Sequence, residues 1–132
     1  MMKHLLILIV MASTQVNASW FSQDYVHGVS QEKVEILSEA LKRGDVLFID
    51  TREPGEYLES RIPTAVNIPL RDVGSINIEE MRSYKYVVPY CLKDFRGFET
   101  AKILQSKGLT NVVLMEPAGF NGWRSLKMPI EK

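Results

Sequence analysis

Cysteine and histidine are almost absent from this sequence. Its 132 residues include one cysteine, Cys91, and two histidines, His4 and His27. One cysteine cannot form an intramolecular disulfide, and one thiol with two imidazoles falls short of the ligand sets that hold structural zinc. The counts exclude a disulfide-stabilised scaffold, and we expect no metal site and no cofactor.

An excess of charge of either sign is also missing. Sixteen Lys and Arg residues balance sixteen Asp and Glu residues, and the sequence pI is near 6.7. This balance gives no general attraction to nucleic acid or to an anionic membrane. Apolar residues make up 45% of the chain, which is enough for a packed core. The composition predicts one folded domain with no nucleic-acid partner.

The sequence has one long apolar run, residues 5–12, and it is too short to cross a bilayer. It contains eight residues, whereas a spanning helix needs about 20. The run follows Lys3, and small residues occupy positions −3 and −1 before Ser19. These features are typical of a secretory signal peptide over residues 1–18, with an uncleaved N-terminal anchor as the alternative. We therefore expect an exported protein without a stable membrane anchor after cleavage, periplasmic if the organism is bacterial.

The rest of the chain alternates between helical and strand patterns. Residues 19–29 are aromatic but aperiodic and predict an irregular lead-in to a domain over residues 30–132. Apolar runs predict strands over residues 46–49, 65–68, 86–90 and 111–115, and start and stop signals predict helices from an N-cap at Ser30 to Gly44 and over residues 54–58, 97–107 and 119–126. The alternation predicts a single α/β domain with a mostly parallel central sheet flanked by helices, and a site at the carboxyl ends of its strands.

Cys91 follows one of these predicted strands directly and lies six residues before the predicted helix at Gly97. A short loop in that position points backbone N–H groups inward, and the helix dipole adds positive potential, so the setting favours thiolate over thiol. Arg96, with Lys93 as a second candidate, supplies a cation that suits an oxyanion. A free cysteine can instead simply pack in a core, but the polar flanking residues favour a nucleophile.

Histidine-assisted catalysis does not fit the sequence. After signal cleavage, His27 is the sole histidine, and it lies in the irregular lead-in. Activation of Cys91 must then come from the loop's own dipoles and cations, which argues against papain-like hydrolysis.

Three blocks give the chain a family resemblance. They are LFIDTREPGEY at residues 47–57, RIPTAVNIPL at residues 61–70, and the segment from Tyr90-Cys91 to Arg96-Gly97 followed by Ala118-Gly119 and Trp123. In this order and spacing they resemble the single-domain rhodaneses, which are thiosulfate-type sulfurtransferases. The resemblance implies that Cys91 takes a sulfane sulfur from a small anionic donor as a persulfide. It then passes that sulfur to an external thiol or a cyanide-like acceptor.

The resemblance also implies roles for the surrounding residues. The backbone N–H groups of the loop would cradle the persulfide, and Arg96 would orient the donor. Asp50, Arg52 and Glu56 would support the pocket, with Arg52 able to pair with Glu56 four residues on. The implied substrate-binding residues are Leu92, Lys93, Asp94, Phe95, Arg96 and Gly97.

Loop length separates sulfur transfer from oxyanion chemistry within this resemblance. The family uses Cys-x4-Arg, as from Cys91 to Arg96, for sulfur, whereas its phosphatase and arsenate-reductase relatives use Cys-x5-Arg. A phosphatase or arsenate-reductase-type enzyme is therefore the weaker alternative.

Some positions depart from the family pattern. Asp94 stands where the family usually has glycine, and Ser60-Arg61 replaces Gly-His. A carboxylate beside the loop opposes thiolate formation, unless it points outward and pairs with Lys93 or Arg96. These departures keep open a non-catalytic binding or sensor module, and they leave the donor and acceptor undetermined.

Overall fold

The computed structural model describes residues 28–132. This part of the chain forms β1 (Ser30–Lys33), α1 (Val34–Lys42), β2 (Val46–Asp50), α2 (Pro54–Glu59), β3 (Val66–Asn67), β4 (Tyr86–Tyr90), α3 (Phe95–Ser106), β5 (Val113–Glu116) and α4 (Gly119–Ser125). Two 3₁₀ helices, Leu70–Ser75 and Glu79–Ser83, connect β3 to β4. No helix among the described residues is long and apolar enough to cross a membrane.

The strands form a parallel arrangement. β2 lies between β3 and β4, and β1 pairs with β5, all in parallel register. A parallel bridge between Val87 and Val112 joins β4 to β5. The order is therefore β1-β5-β4-β2-β3, and the predicted parallel α/β domain is confirmed.

Apolar side chains cover both faces of this sheet. Along β2, Phe48 belongs to the cluster that contains Trp123, and its neighbour Ile49 belongs to the opposite cluster with Leu104. Successive strand residues point to opposite faces. The continuous apolar run in β2 therefore reflects a strand buried on both sides, as the sequence indicated.

The predicted start of the first helix is wrong. Residues 30–33 form β1, whose partners run from Val113 to Glu116, and α1 begins at Val34 with Lys33 as its N-cap residue. Ser30 therefore caps no helix. The segment SQEK carries no apolar alternation because β1 is a largely exposed strand, so its backbone pairing left no signal in the sequence.

Other boundaries differ by a few residues. α3 begins at Phe95 instead of residue 97, because the Phe98 N–H already donates to the Asp94 carbonyl at 2.8 Å. The 3₁₀ helices were not predicted. The predicted signal peptide, most of the irregular lead-in and His27 lie outside the described residues.

Candidate active site

The carboxyl ends of β2 and β4 lie side by side and bring the first site residues together. Asp50 and Tyr90, the last residues of these strands, are register partners. Beyond them, both the backbone N–H and the hydroxyl of Thr51 donate to the Tyr90 carbonyl, at 2.8 and 2.9 Å. The segment after Asp50 is therefore fastened to the residue that precedes Cys91.

The loop that starts at Cys91 rests on the N-terminus of α4. The carbonyl of Cys91 accepts a hydrogen bond from the Phe120 N–H at 2.8 Å, and that of Leu92 accepts one from the Asn121 N–H at 2.9 Å. Cys91 itself is only 4% exposed. The early N–H groups of α4, which a helix cannot satisfy internally, thus hold the loop in place.

Gly97 brings α3 against the end of β4. A Cβ atom at this position would lie 3.0 Å from both the Pro89 carbonyl oxygen and the Tyr90 Cα. Glycine therefore permits this close approach of the backbone. The packing places the first turn of α3 beside Cys91, as expected from the strand, loop and helix order.

Arg96 forms an ion pair with a carboxylate close to the cysteine. Its Nη1 lies 3.0 Å from Glu56 Oε1. The pKa of Arg96 is raised, first by the hydrogen bond to Glu56, and the nearby Cys91 acts in the same direction. The guanidinium is thus a permanent cation that Glu56 holds near Cys91.

The predicted pairing of Arg52 with Glu56 is wrong. Arg52 Nη2 lies 2.7 Å from Asp50 Oδ2, with both side chains buried, and the same nitrogen donates to the Ser60 carbonyl at 2.6 Å. Glu56 pairs with Arg96, whose hydrogen bond is the first cause of the lowered pKa of Glu56. Arg52 precedes α2, so the helical spacing of four residues does not place its side chain against Glu56.

Tyr90 and Asn67 support the site and were not predicted as site residues. The Tyr90 hydroxyl donates to Asp50 Oδ2 at 3.0 Å and accepts from the Ile62 N–H at 3.1 Å. Burial, together with the charge of Asp50, raises the pKa of Tyr90 and keeps it a neutral donor. Asn67 Nδ2 donates to the carbonyls of Asp50 and Arg52 at 3.0 and 2.9 Å. Only its place in the RIPTAVNIPL block could have indicated Asn67.

A cleft of about 710 Å³ opens beside the loop. Its walls are formed by Arg52, Glu56, Glu59, Ser60, Leu92, Arg124, Ile130 and Lys132. Two of these residues, Arg52 and Arg124, pack against the ring of Phe120, with their guanidinium carbons 4.7 and 4.6 Å from the ring centre. Arg124, Ile130 and Lys132 were not predicted as site residues, and the fold brings them to this cleft from the C-terminal part of the sequence.

Among the remaining loop residues predicted as substrate-binding, Leu92 lines the cleft, whereas Lys93 and Phe95 face outward. Phe95 is 70% exposed, and Leu92 and Lys93 are also exposed. Lys93 and Phe95 therefore contribute their backbone, and not their side chains, to the loop around Cys91. Among residues 28–132, no group of three or more His, Cys, Asp or Glu side chains could hold a metal ion.

Asp94 occupies the N-cap position of α3, where its side chain makes no capping hydrogen bond. It is partly buried. Burial raises the pKa of this carboxyl. Within the described chain it forms no ion pair with Lys93 or Arg96, so the pairing that would remove the objection to Asp94 is not seen.

Replacing Asp94 by asparagine is expected to stabilise the fold at pH 7 by up to about 1 kcal/mol. An acid whose pKa is raised on folding disfavours the folded state when ionised, and the wild type recovers that free energy as pH falls through the raised pKa toward the ordinary Asp value. The advantage of Asp94→Asn should therefore shrink on acidification. Urea unfolding of both proteins at pH 7 and pH 4 measures this difference in the free energy of unfolding. A difference that does not change with pH would contradict an origin in the ionised Asp94 carboxylate.

The sequence is similar to that of a known domain family and to those of two sulfurtransferases. The family model described as "Rhodanese-like domain" matches residues 33–126. The thiosulfate:glutathione sulfurtransferase of Saccharomyces cerevisiae is 32% identical over 93 residues, which cover 61% of this chain and 66% of the yeast protein, just under two thirds. A sulfurtransferase of Allochromatium vinosum is 30% identical over 101 residues, covering 73% of this chain and 92% of that protein.

Solved structures share the fold. A Rhodopseudomonas palustris protein of unknown function, described as a possible tyrosine phosphatase, superposes with a TM-score of 0.71 at 22% identity. The superposition covers 83% of this chain and 89% of that one. At this identity the likeness shows the fold alone.

Proposed function

Because this chain belongs to the rhodanese-like domain family, we propose that it is a sulfurtransferase that moves sulfane sulfur through a persulfide on Cys91. The observation that carries the proposal is a recessed thiol that directly follows β4, in a short loop whose far end is the first turn of α3 with its Arg96. Sulfur transfer also appears in the names of the yeast and Allochromatium relatives.

The first half-reaction loads the cysteine. The Cys91 thiolate attacks the sulfane sulfur of a thiosulfate-like donor, so a new S–S bond forms while the donor's own S–S bond breaks. Sulfite leaves with the electron pair of that bond. Arg96 stabilises the thiolate and the anionic donor, and the loop's N–H groups stabilise the persulfide that results.

The second half-reaction returns the sulfur to an external nucleophile. A thiolate or cyanide attacks the outer sulfur, and the Cys91 thiolate leaves. Because Cys91 is the sole cysteine in the sequence, no second thiol of this chain can receive the sulfur or resolve the persulfide. Two separate half-reactions predict ping-pong kinetics.

Residues 1–18 support export of this activity. Their basic start, apolar run and small residues before Ser19 fit a cleaved signal peptide. The transfer would then take place outside the cytoplasm, in the periplasm if the organism is bacterial.

Incubation of the purified protein with thiosulfate tests the proposal. We expect a mass increase of one sulfur atom, about 32 Da, on the peptide that contains Cys91, and thiocyanate after addition of cyanide. Absence of both products would overturn sulfur transfer. Turnover of an aryl phosphate that depends on Cys91 would favour the phosphatase alternative instead.

The unpaired, partly buried Asp94 favours one second candidate, a non-catalytic binding or sensor module of the same fold. Such a module needs no activated thiol. It predicts that Cys91 reacts with iodoacetamide at pH 6 no faster than free cysteine does, whereas the sulfurtransferase predicts faster alkylation.

A further inference from the structure

The charges that line the cleft are unequally compensated. Arg52 is neutralised by Asp50 at 2.7 Å, and Glu56 is neutralised by Arg96 at 3.0 Å. The other charged side chains of the cleft wall are Arg124, Lys132 and Glu59, and none of them forms an ion pair with any described residue. Arg124 is therefore an arginine of the cleft wall that no described carboxylate side chain neutralises.

Arg124 is an uncompensated cation that other contacts hold in place. Its Nη2 donates to Asn121 Oδ1 at 2.9 Å, and its guanidinium carbon lies 4.6 Å from the Phe120 ring centre. Neither contact neutralises the charge, and the side chain remains exposed to the cleft. A planar donor fork already oriented in this way is suited to an oxyanion.

The same helix that carries Arg124 fixes the cysteine loop. Phe120 and Asn121 donate their N–H groups to the carbonyls of Cys91 and Leu92, and Arg124 follows one helical turn after Phe120. Leu92 and Arg124 then line the same cleft. One helix, α4, thus both fixes the backbone of the loop that starts at Cys91 and carries Arg124.

We propose that Arg124 is the anion-selecting residue of this site, which binds the sulfonate or carboxylate end of a small donor while its reactive atom meets Cys91. The identity of the natural substrate rests on the proposed function, but the selection of anions by Arg124 does not. Arg96 cannot fill this role alone because Glu56 already neutralises it. Glu59, which also lines the cleft, acts against the same anion.

Iodoacetate and iodoacetamide test the charge selection without any transfer of sulfur. Both alkylate Cys91, but only iodoacetate carries a carboxylate. Arg124→Gln is expected to slow iodoacetate about fivefold and to leave iodoacetamide within about twofold. Arg124→Lys should restore part of the preference, and Glu59→Gln should raise the iodoacetate rate. Arg43→Gln, which removes an exposed arginine elsewhere, is the matched control and should change neither rate.

Thiosulfate kinetics then connect the residue to the substrate. Arg124→Gln should raise KM for thiosulfate about fivefold with little change in kcat, since the reacting atoms keep their surroundings. An unchanged ratio of iodoacetate to iodoacetamide rates, or an equal loss of both, would overturn the proposal. If the ratio falls but the wild type forms no persulfide, the anion site stands and the proposed sulfur transfer fails.

Discussion

Cys91→Ser is expected to form no sulfur adduct with thiosulfate and to lose thiocyanate production by on the order of a thousandfold or more. A serine hydroxyl stays protonated at neutral pH, and its oxygen has no counterpart to the persulfide through which we propose that sulfur moves. Mass spectrometry of the intact protein after thiosulfate treatment gives the first measurement, and the cyanide assay gives the second.

The control for this variant is its stability. The thiol is buried, and a serine hydroxyl in its place is smaller and more polar, so we expect the urea midpoint of Cys91→Ser to correspond to a loss of about 1–3 kcal/mol. A folded variant without an adduct assigns the chemistry to the sulfur. An adduct that persists in Cys91→Ser would contradict the assignment of the persulfide to this residue.

Local patterns were enough to predict the scaffold of the site. The continuous apolar run of β2 and the strand that ends at Tyr90 are signals within a few neighbouring residues, because a strand buried on both faces leaves no polar alternation. Pro54 marked the first turn of α2 in the same way, and α2 begins there. The position of Cys91 at a strand end followed from these elements.

The contacts across the site could not be predicted, because they join distant parts of the chain. Arg96 meets Glu56 across 40 positions, whereas sequence proximity favoured Arg52 for that carboxylate. Arg52 instead turns back onto Asp50, two residues away on the same side of an extended segment. The cleft residue Arg124 depends on how α4 packs against the loop, which no local pattern encodes.

Gly119 lies against the loop that starts at Cys91, and two features of this position require glycine. Its φ is +69°, a conformation that L side chains rarely adopt. A Cβ atom there would overlap the carbonyl oxygen of Lys93 and approach that of Leu92 to 2.7 Å. Because both obstacles are backbone atoms of the loop, a side chain could fit only if the loop moved.

Gly119→Ala is therefore expected to lower the free energy of unfolding by about 3 kcal/mol or more and to slow sulfur loading of Cys91. The loop would move away from α4, breaking the hydrogen bonds from Phe120 and Asn121 that hold the carbonyls of Cys91 and Leu92. Urea unfolding measures the first effect, and the rate of adduct formation with thiosulfate measures the second.

Gly74→Ala is the matched control, since a Cβ atom at Gly74 meets nothing within 4 Å. We expect it to keep both the wild-type unfolding midpoint and the wild-type adduct rate. If Gly119→Ala behaved like Gly74→Ala, the loop would not depend on close contact with α4. If it lost stability but kept its adduct rate, α4 would serve the fold without positioning the cysteine. Loss of both in Gly119→Ala alone would tie the reactivity of Cys91 to the backbone contact between α4 and its loop.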